Sequence, residues 1–194
     1  ELSVVVGYDG KTKLVTFPPT ENIHENGILR ISISPARISM EIEKRAQDLA
    51  QEIIRKIGDP GVFCVEMFLL ENGRLLVNEI APRPHNAGHH TIDSFTVSQY
   101  ELQIRALVGL PLVNPQQITP SVLLNVLGEE YTNLTDSYTT NWILKNQNAR
   151  IYSYGKADVR PNRKMGHILF SGPSQEDLIL SARETHKFLT KANV

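Results

Sequence analysis

The stretch NEIAPRPHNAGHH, Asn78 to His90, places one carboxylate, an arginine, three histidines, two asparagines and two prolines directly after the apolar run Leu75, Leu76, Val77. Pro82 and Pro84 each fix φ and remove a backbone donor, so the segment reads as a stiff loop at the end of a strand, too Pro-rich to be a helix. The prolines space out Arg83, His85 and Asn86. The planar fork of Arg83 suits carboxylate, carbonate or phosphate oxygens. His85 can donate, accept or shuttle a proton near neutral pH. Gly88 permits a close backbone approach. Taken singly, each residue has a bland account, with Arg83 on a structural carboxylate and the histidines on the surface. Taken together they point to function, since no packing demand calls for the whole set. A zinc site of His85, His89, His90 and Asp93 is disfavoured, because the spacing of His85 and His89 would need a helix that the prolines and Gly88 oppose.

These groups gain a partner from the hairpin that precedes them. Val62 to Leu70 and Arg74 to Ile80 read as strands joined through Glu71-Asn72-Gly73-Arg74, and Asn-Gly between apolar runs is a strong hairpin signal. With Asn72 and Gly73 as the two turn residues, Leu70 faces Leu75 and Glu66 lands opposite Glu79. Cross-strand Cβ atoms on one face lie about 4.5–5.5 Å apart, so two carboxylates there repel. An arginine, a shared proton or a divalent cation would relieve them, and oxygen donors suit a hard ion such as Mg²⁺. A hydrated, solvent-exposed pair at a sheet edge is the alternative. Asn78 could add an oxygen only if a bulge interrupts the strict alternation.

The elements that must hold these residues are legible in outline. Leu2 to Val6 and Lys13 to Phe17 read as a hairpin, and Ile28 to Ser34 alternates as a half-buried strand, with Pro18, Pro19, Asn22, His24 and Asn26 marking a loop before it. Ser39 to Ile57 is a helix with an apolar stripe of Ile42, Ala46, Leu49, Ile53 and Ile57, an N-cap at Ser39 and a stop at Gly58 and Pro60. Ser98-Gln99-Tyr100-Glu101 is a capping box, with Val97 and Leu102 placed as a hydrophobic staple, for a helix that ends at Gly109 and Pro111. Beyond Val113 the texture changes. NPQQITP reads as a linker, Ser121 to Leu127, Arg150 to Tyr154 and His167 to Phe170 as strands with long polar connections, and Ser174 opens a last helix burying Leu178, Ala182, Thr185 and Leu189. The expected class is α+β: residues 1–113 a mostly antiparallel sheet with helices, and 118–194 a small β-rich domain with a terminal helix.

Composition narrows the function. With 41% hydrophobic and 21% charged residues in 194, the chain reads as an ordinary globular protein, and its net charge of −1 supplies no global field for nucleic acid or an anionic membrane. No apolar run reaches the ~18 residues of a membrane span, and no signal-peptide pattern is present. The one cysteine, Cys64, sits in an apolar run, which excludes an internal disulfide framework and fits a buried thiol in a reducing cytoplasm. The chain begins at Glu1, in a strand-like run, and is expected to be part of a larger protein. A second polar cluster, Tyr154 to His167, packs four cations into nine residues (Lys156, Arg160, Arg163, Lys164) as a local anion site or a solvated basic turn. It lacks the aromatic platform that nucleic-acid binding would need.

LLVNEIAPRPHNAGHHTID, with SQYELQIRALVGLPL and GKADVRPNRKMGHI, resembles the N5-carboxyaminoimidazole ribonucleotide synthetases, the ATP-grasp ligases also known as the ATPase subunit of phosphoribosylaminoimidazole carboxylase. The likeness reaches upstream to ELSVVV and ENIHENGI and covers essentially the whole chain. It implies the second half of an ATP-grasp domain followed by the small C-terminal domain, ATP and Mg²⁺ as cofactors, and aminoimidazole ribonucleotide and bicarbonate as substrates of a cytoplasmic, homodimeric ligase of purine synthesis. In that family ATP phosphorylates bicarbonate to carboxyphosphate, whose carboxyl passes to the ribonucleotide amine. Carried over residue by residue, Glu66 and Glu79 resemble the Mg²⁺ ligands, with Asn78 beside them at the nucleotide. Glu1 and His24 match positions that contact ATP. Arg83, His85 and Asn86 resemble residues at bicarbonate, carboxyphosphate and substrate, and Lys156 and Arg163 match the cations that grip the ribonucleotide phosphate. His89 receives no role.

Two departures stand out. Ala87 occupies a position where many relatives have serine, and the phosphate-covering half of the ATP-grasp domain, with its Gly-rich loop, is absent, so the fragment is expected to be inactive alone. Two alternatives remain open: another ATP-grasp ligase, such as the related purine transformylase or biotin carboxylase, and a non-catalytic nucleotide-binding module.

Overall fold

The structure, a computed structural model, describes residues 1–191, which divide into two compact units: residues 1–22 with 34–118, and residues 23–33 with 119 onward. In the first unit β1 (Leu2–Tyr8) is central. It pairs antiparallel with β2 (Leu14–Thr16), with the start of β3 (Thr20–Glu25), and along its whole length with β5 (Gly61–Leu69), which in turn carries the edge strand β6 (Leu75–Ala81).

Alternation along β1 and β5 produces two faces. Val4, Val6, Phe63, Val65 and Met67 pack against α1 (Met40–Ile57), while Val5, Val62 and Cys64 pack under α3 (Gln99–Val108). Ser39 caps α1 by accepting from the Ile42 N–H, and Gly58, at φ 84°, ends it in the left-handed conformation. The buried face of α1 is Ala46, Ala50 and Ile54. The expected stripe through Ile42, Leu49, Ile53 and Ile57 is rotated off the centre, and Ile57 is exposed. Two small alanines let the helix sit close to the sheet, so the larger residues flank the contact instead of forming it. Ser98 caps α3 by accepting from the Glu101 N–H, one half of the expected capping box, while the Glu101 carboxylate turns to Arg105 instead, and Val97 and Leu102 are both buried beside the cap.

In the second unit the last residues of β3 adjoin β4 (Ile28–Ser34), and β4 adjoins β7 (Ser121–Leu127), then β9 (Lys164–Ser171) and β8 (Ala149–Ser153), with α6 (Gln175–Lys191) burying Leu178, Ile179, Ala182, Thr185 and Leu189. Arg30 Nη1 donates to both oxygens of the buried Glu130, at 2.7 and 2.8 Å, and His186 meets the same carboxylate at 3.2 Å.

Two expected loops turn out to be regular structure. Residues 20–25 form β3, which turns into β4 through Asn26 and Gly27, both at positive φ (51° and 75°), as a type I′ connection demands. The polar connection after β7 folds as α4 (Gly128–Leu134) and α5 (Ser137–Leu144), the latter capped by Asp136. Gly128 stands so close to Arg160 that a Cβ there would lie 2.0 Å from its carbonyl oxygen, which brings the Lys156–Lys164 segment against the start of α4.

Candidate functional site

The β5–β6 hairpin sets the acidic pair. Leu70 N–H donates to Arg74 O, Leu69 pairs with Leu75, and Gly73 takes φ 77°, so the turn has three residues, not the expected two. Leu70 therefore does not face Leu75. A bulge then restores the register: Met67 pairs with Val77 and Glu66 with Glu79, leaving Asn78 as the extra residue. The two shifts cancel, and the two glutamates are cross-strand neighbours in backbone register. Glu66 is buried (6% exposed), whereas Glu79 and Asn78 are exposed on the edge strand.

Glu66 continues the β5 face that carries Val62 and Cys64, at the point where apolar cover gives way to polar groups. Ser3, opposite it on β1, donates to Glu66 at 3.5 Å and accepts from Asn22 at 2.6 Å. His85 Nε2 lies 3.3 Å from Glu66 Oε1. Because His85 Nδ1 accepts from the Ala87 N–H at 3.4 Å, the ring proton belongs on Nε2, where it donates to the carboxylate. Cys64, Glu66 and His85 offer ligand atoms within 4.8 Å of one another. Burial pushes the Cys64 thiol well up, and the charges of Glu66 and Glu79 push it further, against Ser3 and Arg83. As the site stands the thiol is protonated, and the acidic oxygens are the natural donors. Glu66 supplies the carboxylate oxygen of that set, the donor type that a hard cation such as Mg²⁺ takes, and Glu79 lies outside the set.

The loop after Glu79 is stiff at first and then coils. Arg83 is exposed, with Nη1 donating to Pro84 O at 3.1 Å. Beyond it, Asn86–Gly88 form a 3₁₀ turn and Thr91–Ser94 a short helix, α2, so the prolines exclude regular structure only from the first half of the stretch. Asn86 is 8% exposed, and both its carboxamide oxygen and nitrogen are buried with no hydrogen-bond partner. An unmet carboxamide is costly in a native interior and marks a place for a ligand. His89 turns to Tyr100 and Gln99, and His90 to Ser94 at 3.2 Å, so neither joins His85.

Glu1 lines a cavity of about 420 Å³ with Leu2, Glu21, Arg37, Ile38 and Leu69, and Glu21 forks onto Arg37 there. His24, half-buried on the later part of β3, belongs to the second unit, as do Lys156 and Arg163. Lys156 Nζ donates to Lys164 O at 2.6 Å and lies 5.4 Å from the Tyr154 ring centroid. Arg163 Nη1 donates to Asp158 O at 2.9 Å, and the Asp158 carboxylate also pairs with Arg160. The residues that sequence reasoning overlooked are Ser3, which strand register brings to Glu66, Asn22, which donates to Ser3, and Gln99, whose place in the first turn of α3 concealed it.

His90 gives a pH signature. Burial, aided by the nearby His89 charge, holds its imidazole down at about 3. Below about 6.5 the unfolded chain takes up a proton that the folded protein refuses until about pH 3. His90 therefore contributes stability that is complete above about pH 6.5 and falls away between there and about pH 3. Chemical denaturation across this range is expected to show a shallower acid decline for His90→Gln than for the unsubstituted protein.

With this geometry in view, the comparisons with known proteins are direct. The ATP-grasp domain matches residues 1–100, and the phosphoribosylaminoimidazole carboxylase C-terminal domain matches residues 121–180. The chain belongs to the ATP-grasp family. Within that family the branch it matches is that of the N5-carboxyaminoimidazole ribonucleotide synthases. It is 44% identical over 179 residues to the N5-carboxyaminoimidazole ribonucleotide synthase of Bacillus subtilis, covering 92% of this chain and 46% of that protein. It is 42% identical to the phosphoribosylaminoimidazole carboxylase of Candida albicans, covering 91% and 32%. The crystal structure of N5-carboxyaminoimidazole synthase from Aspergillus clavatus, in complex with ADP and 5-aminoimidazole ribonucleotide, superposes with a TM-score of 0.89 at 33% identity, over 97% of this chain and 51% of that one. The chain thus spans about a third to a half of the length of these relatives. The α+β class, an antiparallel sheet with helices, agrees with these neighbours.

Proposed function

We propose that this chain forms the acidic, carboxyl-handling part of an ATP-dependent carbon–nitrogen ligase that carboxylates 5-aminoimidazole ribonucleotide with bicarbonate in purine synthesis. The observation that carries the reading is the Glu66–Glu79 pair beside His85 and the unpartnered Asn86 carboxamide. The names of the relatives supply the substrate, since one solved neighbour was crystallised with ADP and 5-aminoimidazole ribonucleotide.

Glu66 and Glu79, with Asn78 alongside, would hold Mg²⁺, which when bound neutralises charge on the phosphate oxygens of ATP. His85 keeps its proton at Nε2 against Glu66 and so orients that carboxylate. Arg83 offers its fork to the carboxylate or phosphate of an activated bicarbonate. Asn86 meets polar atoms of the acceptor with a donor and an acceptor that the fold leaves open. Glu1 and His24 contact the nucleotide, and Lys156 and Arg163 hold the ribonucleotide phosphate. The division near residues 113–118 separates the acidic part from the part with Lys156 and Arg163, with which residues 23–33, His24 among them, are grouped. The complete protein works as a cytoplasmic homodimer on small molecules. None of the described helices is long and apolar enough to cross a membrane.

The test is substrate stimulation in the complete protein. Aminoimidazole ribonucleotide with bicarbonate is expected to stimulate ATP hydrolysis and to yield the carboxyamino product. Stimulation by a different acceptor would point to another ATP-grasp ligase. Mg²⁺-independent nucleotide binding, unchanged in Glu66→Gln and Glu79→Gln, would point to a non-catalytic module.

A further inference from the structure

Resting on that reading, we propose that Gln99 is the positioning residue of the site: its carboxamide holds the backbone of His85, and with it the imidazole facing Glu66, and it sets the tautomer of His89. Gln99 is fully buried at the first position of α3. Its Oε1 accepts from the His85 N–H at 2.9 Å, and its Nε2 donates to the His85 carbonyl at 2.8 Å. Two bonds to one residue's backbone leave the amide a single orientation, since a flip would set donor against donor and acceptor against acceptor. The clamp is closed from behind. Gln99 N–H donates to Thr91 Oγ1 at 3.0 Å, and Thr91 Oγ1 donates to Gly88 O at 2.7 Å. Gly88 must lack a side chain for this, because a Cβ there would lie 2.5 Å from Gln99 Oε1 and 3.0 Å from Val5.

The fixed amide has a second consequence. The remaining N–H of Gln99 Nε2 faces His89 Nδ1 at 3.2 Å, and the Tyr100 hydroxyl lies 2.5 Å from the same nitrogen, with the two rings stacked at 5.8 Å. Nδ1 is therefore an acceptor, and the proton of His89 sits on Nε2. One buried amide thus ties together two of the three histidines of the loop, and His89, which has no role by resemblance, acquires a defined protonation.

The experiment uses the complete protein. In Gln99→Met, which keeps length and loses polarity, kcat for carboxylation is expected to fall about 100-fold, the scale of a misplaced catalytic group, with the KM for ATP within twofold. Nitrogen-15 NMR of histidine-labelled protein is expected to show His89 Nδ1 unprotonated in the unsubstituted protein and protonated in Gln99→Glu, where a carboxylate replaces the donor. A folded Gln99→Met variant with kcat within threefold of the unsubstituted protein would overturn the proposal, as would a proton on His89 Nδ1 before any substitution. Should Gln99→Met not fold, the Gln99→Glu tautomer decides. A complete protein with no carboxylating activity at all defeats the functional reading instead, and the tautomer measurement still judges the clamp.

Discussion

Replacing Glu79 with glutamine in the complete protein is expected to lower ATP-dependent turnover by at least about 10³-fold while leaving the fold intact. Electrostatic stabilisation of a transferring phosphoryl group is the main task of such a site, and losing one element of it costs on this order. Glu79 is the cleaner of the two carboxylates to test. It is exposed on the edge strand, so its loss leaves no buried group unpaired, whereas Glu66 is buried against Ser3 and His85 and its removal would also disturb packing. The measurement is steady-state ATPase activity with increasing Mg²⁺, alongside a melting curve. Turnover near that of the unsubstituted protein would reject the metal role of the pair.

Arg163→Ala is expected to raise the KM for the ribonucleotide roughly 10- to 100-fold while leaving that for ATP within twofold. A hydrogen bond to a charged group is worth about 1.5–3 kcal/mol, and about 1.4 kcal/mol corresponds to a factor of ten. Arg163 is already oriented by the Asp158 carbonyl, so little ordering remains when an anion arrives. Its neighbour Lys156 is likewise held by Lys164 O. Initial rates with each substrate varied in turn separate the two constants. Equal effects on both would contradict a phosphate-gripping role.

Much of the positioning frame was legible because it is local. The caps at Ser39 and Ser98, the left-handed stops at Gly58 and Gly109 and the buried face of α6 are settled within a few residues of chain. The Asn-Gly signal was read at Asn72 and missed at Asn26. At Asn26 it makes a genuine two-residue turn, while at Asn72 the turn has three residues, because only Gly73 of that pair takes positive φ. The same local grammar that finds a hairpin does not set its register.

The available chemistry can be read from the residues alone: acidic residues at 66 and 79 on neighbouring strands, a proline-stiffened loop with Arg83, His85 and Asn86, and a basic turn holding Lys156 and Arg163. How that chemistry is aimed depends on contacts between segments distant in the chain. A bulge at Asn78 cancels a longer turn so that residues 66 and 79 pair across the strands, strand pairing brings Ser3 to Glu66 across 63 residues of chain, and Gln99 reaches back 14 residues to grip His85. The reason is physical. Caps and turns are governed by the dihedral preferences of adjacent residues, whereas register and buried amide contacts are chosen by packing and hydrogen-bond satisfaction among segments that the chain order keeps apart.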